Sequence, residues 1–389
     1  MVSTMAKPKF ELAHIIRRFG KQLVQRYNPN AYILRTLNAI TLCRTPALGG
    51  HAYACDACGG ILSGYNSCRN RHCPKCQGLK QALWVDELIQ STLPVKHYHI
   101  VFTLPHELND ICLLNSAAFY NRLFSCAWDA IRTSGYIHFG VETGAVCVLH
   151  TWGQDLCLHP HPHLHCIVPA AGLSLSHHWK HIGNGGKFLL PVTQLSVDFR
   201  SHFMKNLKKW LQEGKLLEKY QSVIDKAWGK PWNVNAGPSM ASSEHVIRYL
   251  GNYTLRVAIT NSRILDISGT KVTFLHKDYA NHAKVLPIVI EGVEFLRRFC
   301  MHILPKRFVK IRRFGVYSSR YKAVTKKLKP KTIDTLLRDK ESWLERLTRV
   351  TGFDVTLCPI CKTGKLHRIA ELPKIRSPTN FYATVLNIG

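Results

Sequence analysis

The chain's 389 residues are 46% apolar, which allows two or three domains and a substantial core. Lys and Arg number 53 against 24 Asp and Glu, a formal charge of +29, so a polyanion is the expected partner, nucleic acid before a membrane surface. No apolar run reaches the roughly 18 residues needed to span a bilayer, and the polar first nine residues do not read as a secretory signal.

Residues 10–27 place Leu12, Ile15, Ile16, Phe19, Leu23 and Val24 at helical spacing, and a second helix is expected over 31–42. A metal module follows. Cys43, His51, Cys55, Cys58, Cys68, His72, Cys73 and Cys76 are eight potential ligands within 34 residues. Fourteen cysteines, many in Cys-x-x-Cys pairs, indicate metal binding in a reducing compartment, not a disulfide framework. The knuckles Cys55-x-x-Cys58 and Cys73-x-x-Cys76 predict one four-cysteine zinc site. The remaining Cys43, His51, Cys68 and His72 predict a second, mixed site. Arg69 and Arg71 sit among the ligands, where they would touch phosphate.

Residues 77–93 read as a helix ended before Pro94, and 96–104 as a strand with His97 and His99 on one face, taken as sheet-surface histidines. A long core helix is expected over 111–131 and a strand over 145–152. The next strand, His163 to Val168, projects His163 and His165 from one face and Leu164 from the other. Two imidazoles side by side on a rigid strand make half of a divalent-metal site. Pro160 and Pro162 interrupt the alternation upstream, which leaves His161 as an extra ligand and Gln154 as the alternative third donor. Gln154 and Asp155 also read as turn residues.

Residues 195–211 are amphipathic, and 226–238 read as a connecting loop. Residues 242–253 look like a helix opened by a serine cap, with Tyr249 and Tyr253 on one face. A tyrosine hydroxyl can attack a phosphodiester; core packing is the alternative for such a pair. Arg256 and Arg263 are candidates for phosphate contact beside it. A hairpin over 264–275 and a helix over 291–304 follow. Lys310, Arg312 and Arg313, interleaved with Phe308 and Phe314, suit single-stranded DNA as well as they suit an ordinary basic strand. Cys358-x-x-Cys361, with His367 its one local third donor, either takes zinc ligands from elsewhere or is a turn without metal; the turn is the reading taken.

The chain resembles the rolling-circle transposases of the insertion sequence 91 family, two-tyrosine members of the HUH endonuclease superfamily (His-hydrophobic-His). The resemblance covers most of the chain. It rests on Arg44 to His51, Tyr65 to Cys76, His99 to His106, the His163–His165 strand and Tyr249/Tyr253, in that order. It implies an N-terminal zinc-binding domain and an α+β fold whose antiparallel sheet presents the metal pair. The expected domains are 1–92, helical and zinc-binding; 93–320, catalytic; and 321–389, a basic helical region with the last Cys pair. The implied activity is nicking and rejoining of single DNA strands at element ends through a 5′-phosphotyrosine. Structural Zn²⁺ and a catalytic Mg²⁺ or Mn²⁺ would serve it, in the bacterial cytoplasm at the nucleoid. A plasmid replication initiator, or a non-catalytic zinc-dependent DNA-binding regulator, are the rival readings.

Overall fold

The computed structural model describes residues 8–151, 153, 155–156, 162–183, 189–237, 257–278, 282, 284–328 and 341–374. Helices α1 (Leu12–Tyr27) and α2 (Ala31–Leu42) open the fold. The Asn30 side chain caps α2 by accepting from the backbone N–H groups of Tyr32 and Ile33. Strands β1 (Gly50–Cys55) and β2 (Ile61–Tyr65) form a hairpin, and α3 (Pro74–Ser91) begins with proline in its first turn. Strand β3 (His97–Thr103) follows. The expected long helix is two, α4 (Asn109–Leu114) and α5 (Ser116–Phe139), because Asn115 leaves the helical conformation and caps α5 through its side chain.

Then come β4 (Val141–Glu142), β5 (Gly144–His150), β6 (His163–Pro169), β7 (Ala171–Ser174), β8 (Trp179–His181), α6 (Val192–Gln212) and α7 (Gln221–Trp228). The supposed connecting loop carries β9 (Val234–Ala236), which adds to the edge of β3. The hairpin expected over 264–275 is three strands, β10 (Ile264–Ser268), β11 (Lys271–Asp278) and β12 (Lys284–Glu291). Helix α8 (Gly292–Met301), β13 (Ile311–Gly315), α9 (Lys322–Lys327), α10 (Trp343–Thr351) and β14 (Leu366–Leu372) complete the described elements.

The main sheet is antiparallel, in the order β13-β5-β6-β3-β9. Its two faces follow from the two-residue period of a strand. Ile100 and Phe102 of β3, Cys147 and Leu149 of β5, and Leu164, Cys166 and Val168 of β6 point into one core. There they pack with α5 and α6 through Phe119, Phe124, Phe199 and Phe203, all fully buried. The opposite face carries Val146 and Ile167 under α3. Further along the same strands that face carries histidines.

A second core joins distant parts of the chain. The apolar stripe of α1 buries Leu12, Ile15, Ile16, Phe19 and Leu23 against Phe274, Phe295 and Phe299 of β11 and α8. Gly292 makes the close approach possible, since a Cβ there would lie 2.3 Å from the Phe19 ring. At the other end, β14 pairs with β1 to give a sheet in the order β14-β1-β2. Helix α10 docks on α3, where the buried Asp86 carboxylate accepts from Arg346 (3.0 Å) and Arg349 (2.7 Å). The architecture is a mixture of helices and antiparallel sheets, and among the described residues no helix is long and apolar enough to cross a membrane.

Candidate metal centres

His163 and His165 project together from β6, and the antiparallel register sets His150, the last residue of β5, opposite His163. The Nδ1 of His150 lies 2.9 Å from the Nε2 of His163, and the His163 and His165 ring centroids are 4.9 Å apart. One ring nitrogen from each of the three falls within 4.8 Å of the others. Nitrogens bound at about 2.1 Å to one ion sit roughly 3 Å apart, so this spacing suits a shared metal. His99 of β3 stacks on His165 with centroids 5.1 Å apart and planes 11° apart, its Nε2 2.9 Å from the Nδ1 of His165. His99 therefore faces the histidine cluster, not open sheet surface. His97, two residues back, is buried and bonded to the Tyr317 hydroxyl at 2.5 Å.

Burial favours the neutral form of His165, His99 and His150. It draws His165 down to about 2, with the charges of His163, His99 and Lys310 adding to the effect. It draws His99 to about 4, helped by His163, and His150 well below the usual range. Neutral imidazoles offer lone pairs, which is the form a cation binds. Lys310 lies beside them: its carbonyl accepts from the Leu149 N–H at 3.0 Å, and burial, with Arg71 nearby, lowers its ammonium to about 7.

The cysteines group differently from the expected pairing of knuckles. Cys43, Cys68, Cys73 and Cys76 form one cluster, with Cys43–Cys76 and Cys68–Cys76 sulfur distances of 3.5 and 3.7 Å. Cys55 and Cys58 are not with them. They sit at the tip of the β1–β2 hairpin, and a six-residue strand rising about 3.3 Å per residue carries the tip roughly 17 Å from its base. Cys43 and Cys68 lie at that base, where the Arg44 N–H meets the Asn66 carbonyl at 3.0 Å. The predicted quartet is thus divided by the hairpin. His51 lies mid-hairpin against Tyr53, and His72 turns toward Arg71, Lys310 and His302, so neither joins the thiols.

Within the cluster, hydrogen bonds from Cys68 and Cys73 hold the Cys43 thiol down at about 2, while the neighbouring Cys43 pushes Cys68 up to about 12 and Cys73 higher still. Adjacent thiolates repel, and a dication removes that conflict.

Two family models match this chain: "Transposase zinc-binding domain" over residues 15–104 and "Putative transposase" over residues 144–324. The "Putative transposase y4qJ" of Sinorhizobium fredii (strain NBRC 101917 / NGR234) is 36% identical, over 98% of this chain and 100% of the relative. The chain belongs to the insertion sequence 91 family of transposases. The transposase for insertion sequence element IS801 of Pseudomonas savastanoi pv. phaseolicola is 25% identical over 79% of this chain and 74% of that protein. No solved structure matches. Membership makes this chain a DNA-cleaving and strand-transferring enzyme in general, with a zinc-binding domain.

The zinc-binding match of the transposase spans the Cys43 cluster, and the second match spans His150, His163 and His165. Tyr249, Tyr253, Arg256, Gln154 and His161 lie outside the described residues. Several of the basic residues expected at DNA have intramolecular partners. Arg71 donates to the Pro305 (2.8 Å) and Phe308 carbonyls, anchoring the metal module to the segment before Lys310. Arg263 donates to the Leu275 carbonyl at 2.7 Å. Arg312 stacks 4.3 Å from the Phe124 ring centroid and donates to Asn121. Arg69 is exposed, and Arg313 makes a surface pair with Glu87 at 3.5 Å. His150 was missed in the sequence although it ends a recognisable strand; its partner on β6 is visible only once the β5–β6 register is known.

Proposed function

We propose that this transposase nicks and rejoins single DNA strands at element ends by HUH chemistry, supporting rolling-circle transposition. The observation that carries the reading is the three-histidine cluster on adjacent strands, His150 with His163 and His165. These residues would hold a divalent ion, which when bound polarises the scissile phosphate and offsets the charge that develops on its oxygens. A set of three imidazoles favours Mn²⁺ over Mg²⁺, which prefers oxygen ligands. His99, stacked on His165, would fix the orientation of that ring.

The nucleophile is a tyrosine of the 242–253 segment. The hydroxyl of Tyr249 or Tyr253 gives up its proton as its Oη attacks the phosphorus, the P–O3′ bond breaks, and the departing 3′ oxygen takes up a proton in exchange. The resulting 5′-phosphotyrosine conserves the bond energy, so a 3′ hydroxyl can reverse the step without ATP. Two tyrosines allow two linked transfers. Exposed Arg69 and Arg313 are the basic residues best placed to meet single-stranded DNA, in the bacterial cytoplasm.

The test is incubation of the purified chain with single-stranded element-end DNA and Mn²⁺. A covalent protein–DNA adduct on a denaturing gel, dependent on the metal and mapping to Tyr249 or Tyr253, supports the reading; an adduct on another residue, or none, overturns it.

A further inference from the structure

The Cys358-x-x-Cys361 knuckle lies outside both family matches, and the structure brings it to the tip of the β1–β2 hairpin. The Cys55 sulfur is 3.6 Å from that of Cys361, and the Cys58 sulfur is 3.9 Å from that of Cys358. Four sulfurs at about 2.3 Å from a tetrahedral ion lie about 3.8 Å from one another. Disulfide sulfurs lie at about 2.05 Å, so the spacing is that of ligands.

The two knuckles share a backbone. Gly59, directly after Cys58, has φ +67°, and Lys362, directly after Cys361, has φ +60°. The Gly59 N–H meets the Cys55 carbonyl at 3.1 Å, and the Lys362 N–H meets the Cys358 carbonyl at 2.9 Å. Gly364 donates to the Cys361 sulfur at 3.3 Å, and a Cβ on it would lie 2.5 Å from the Cys55 sulfur. The contact is a fitted one that a side chain at 364 would block.

The segment that brings the second knuckle has no core of its own. Between residues 341 and 372 only Cys358 and Gly364 are buried, and both are at this cluster. Helix α10 buries none of its residues, and β14 is mostly exposed where it pairs with β1. Backbone pairing and a few exposed side chains do not stabilise a small segment without a staple.

We propose that Cys55, Cys58, Cys358 and Cys361 bind a second structural Zn²⁺, distinct from that of the Cys43 cluster, which clasps the C-terminal segment to the N-terminal hairpin. The zinc-binding unit is therefore completed by cysteines 300 positions downstream. The ion supplies the binding energy that packing does not. The clasp stands independently of the strand-transfer reading.

Elemental analysis of the full-length protein, purified under reducing conditions, should find two zinc ions per chain, and a Cys358→Ser/Cys361→Ser double variant should retain one. A double variant that retains two overturns the proposal. A second measurement uses the wild-type chain and needs no variant to fold. Cys58 is exposed and Cys361 half-buried, so as free thiols they would react readily with iodoacetamide. With zinc bound they should be modified at least tenfold more slowly than after chelation, as mapped by peptide mass. Equal rates with and without chelator, or protection lifted by reductant but not by chelator, overturn the clasp.

Discussion

His150 and His163 face each other across the β5–β6 pair with ring nitrogens 2.9 Å apart. The two come from different strands, so the cluster depends on register: slipping β6 by one residue would turn His163 and His165 into the core and bring Leu164 out. Paired strands would hold such a cluster rigidly, as the in-line attack on a phosphate proposed above requires.

The first prediction concerns that third histidine. His150→Ala should lower the rate of adduct formation by at least about 10²-fold, beyond the roughly 10–100-fold typical of outer metal partners. Binding to single-stranded DNA should change less than about twofold, because phosphate charge dominates affinity. Gel assays across a Mn²⁺ series check both, and wild-type nicking by the variant would remove His150 from the site.

Two tyrosines four apart make a separable prediction. Tyr249→Phe and Tyr253→Phe should each still form an adduct through the remaining hydroxyl, while neither completes transposition, and the double variant should form none. Phenylalanine keeps the ring and removes the nucleophile. If one single variant transposes normally, that residue has no chemical role.

Asp86 ties α10 to α3. Burial alone would raise its carboxyl, but hydrogen bonds and charge from Arg349 and Arg346 outweigh that and lower it. A depressed carboxyl contributes stability that is present above its unfolded pKa and lost as pH falls through its folded pKa. The arginines are about one-third exposed, 30% and 34%, so the contribution is on the order of 1 kcal/mol. Asp86→Asn should therefore speed amide exchange in 343–351 about fivefold at neutral pH, an effect that fades toward acid. Unchanged exchange would show that the ion pairs do not hold the helix.

Gly292→Ala tests the junction of the N-terminal helix with α8. The added methyl would overlap the Phe19 ring, and overpacking of this kind costs about 1–3 kcal/mol. Thermal unfolding should report the loss, and Phe19→Leu in the same chain should restore part of it by making room. A lone Gly292→Ala variant as stable as wild type would mean that the second core is loose there.

Much of the local structure was legible in one dimension, because it depends on local period. The alternation in His163-Leu164-His165 implied a shared face, the spacing in 10–27 implied α1, and the excess of Lys and Arg implied a polyanionic partner, nucleic acid first. Tertiary structure decided what depends on pairing between segments far apart. The cysteines could be counted in the sequence, yet spacing alone joined Cys55 and Cys58 to Cys73 and Cys76. The β1–β2 hairpin instead carries the first pair away, and β14 brings Cys358 and Cys361 to meet it. His150 and His99 were readable as strand residues, but their place beside His163 and His165 came from the order β5-β6-β3. The reason is physical: side-chain period is written in neighbouring residues, whereas strand order and loop closure are set by which surfaces bury together, and no short window of sequence contains both partners.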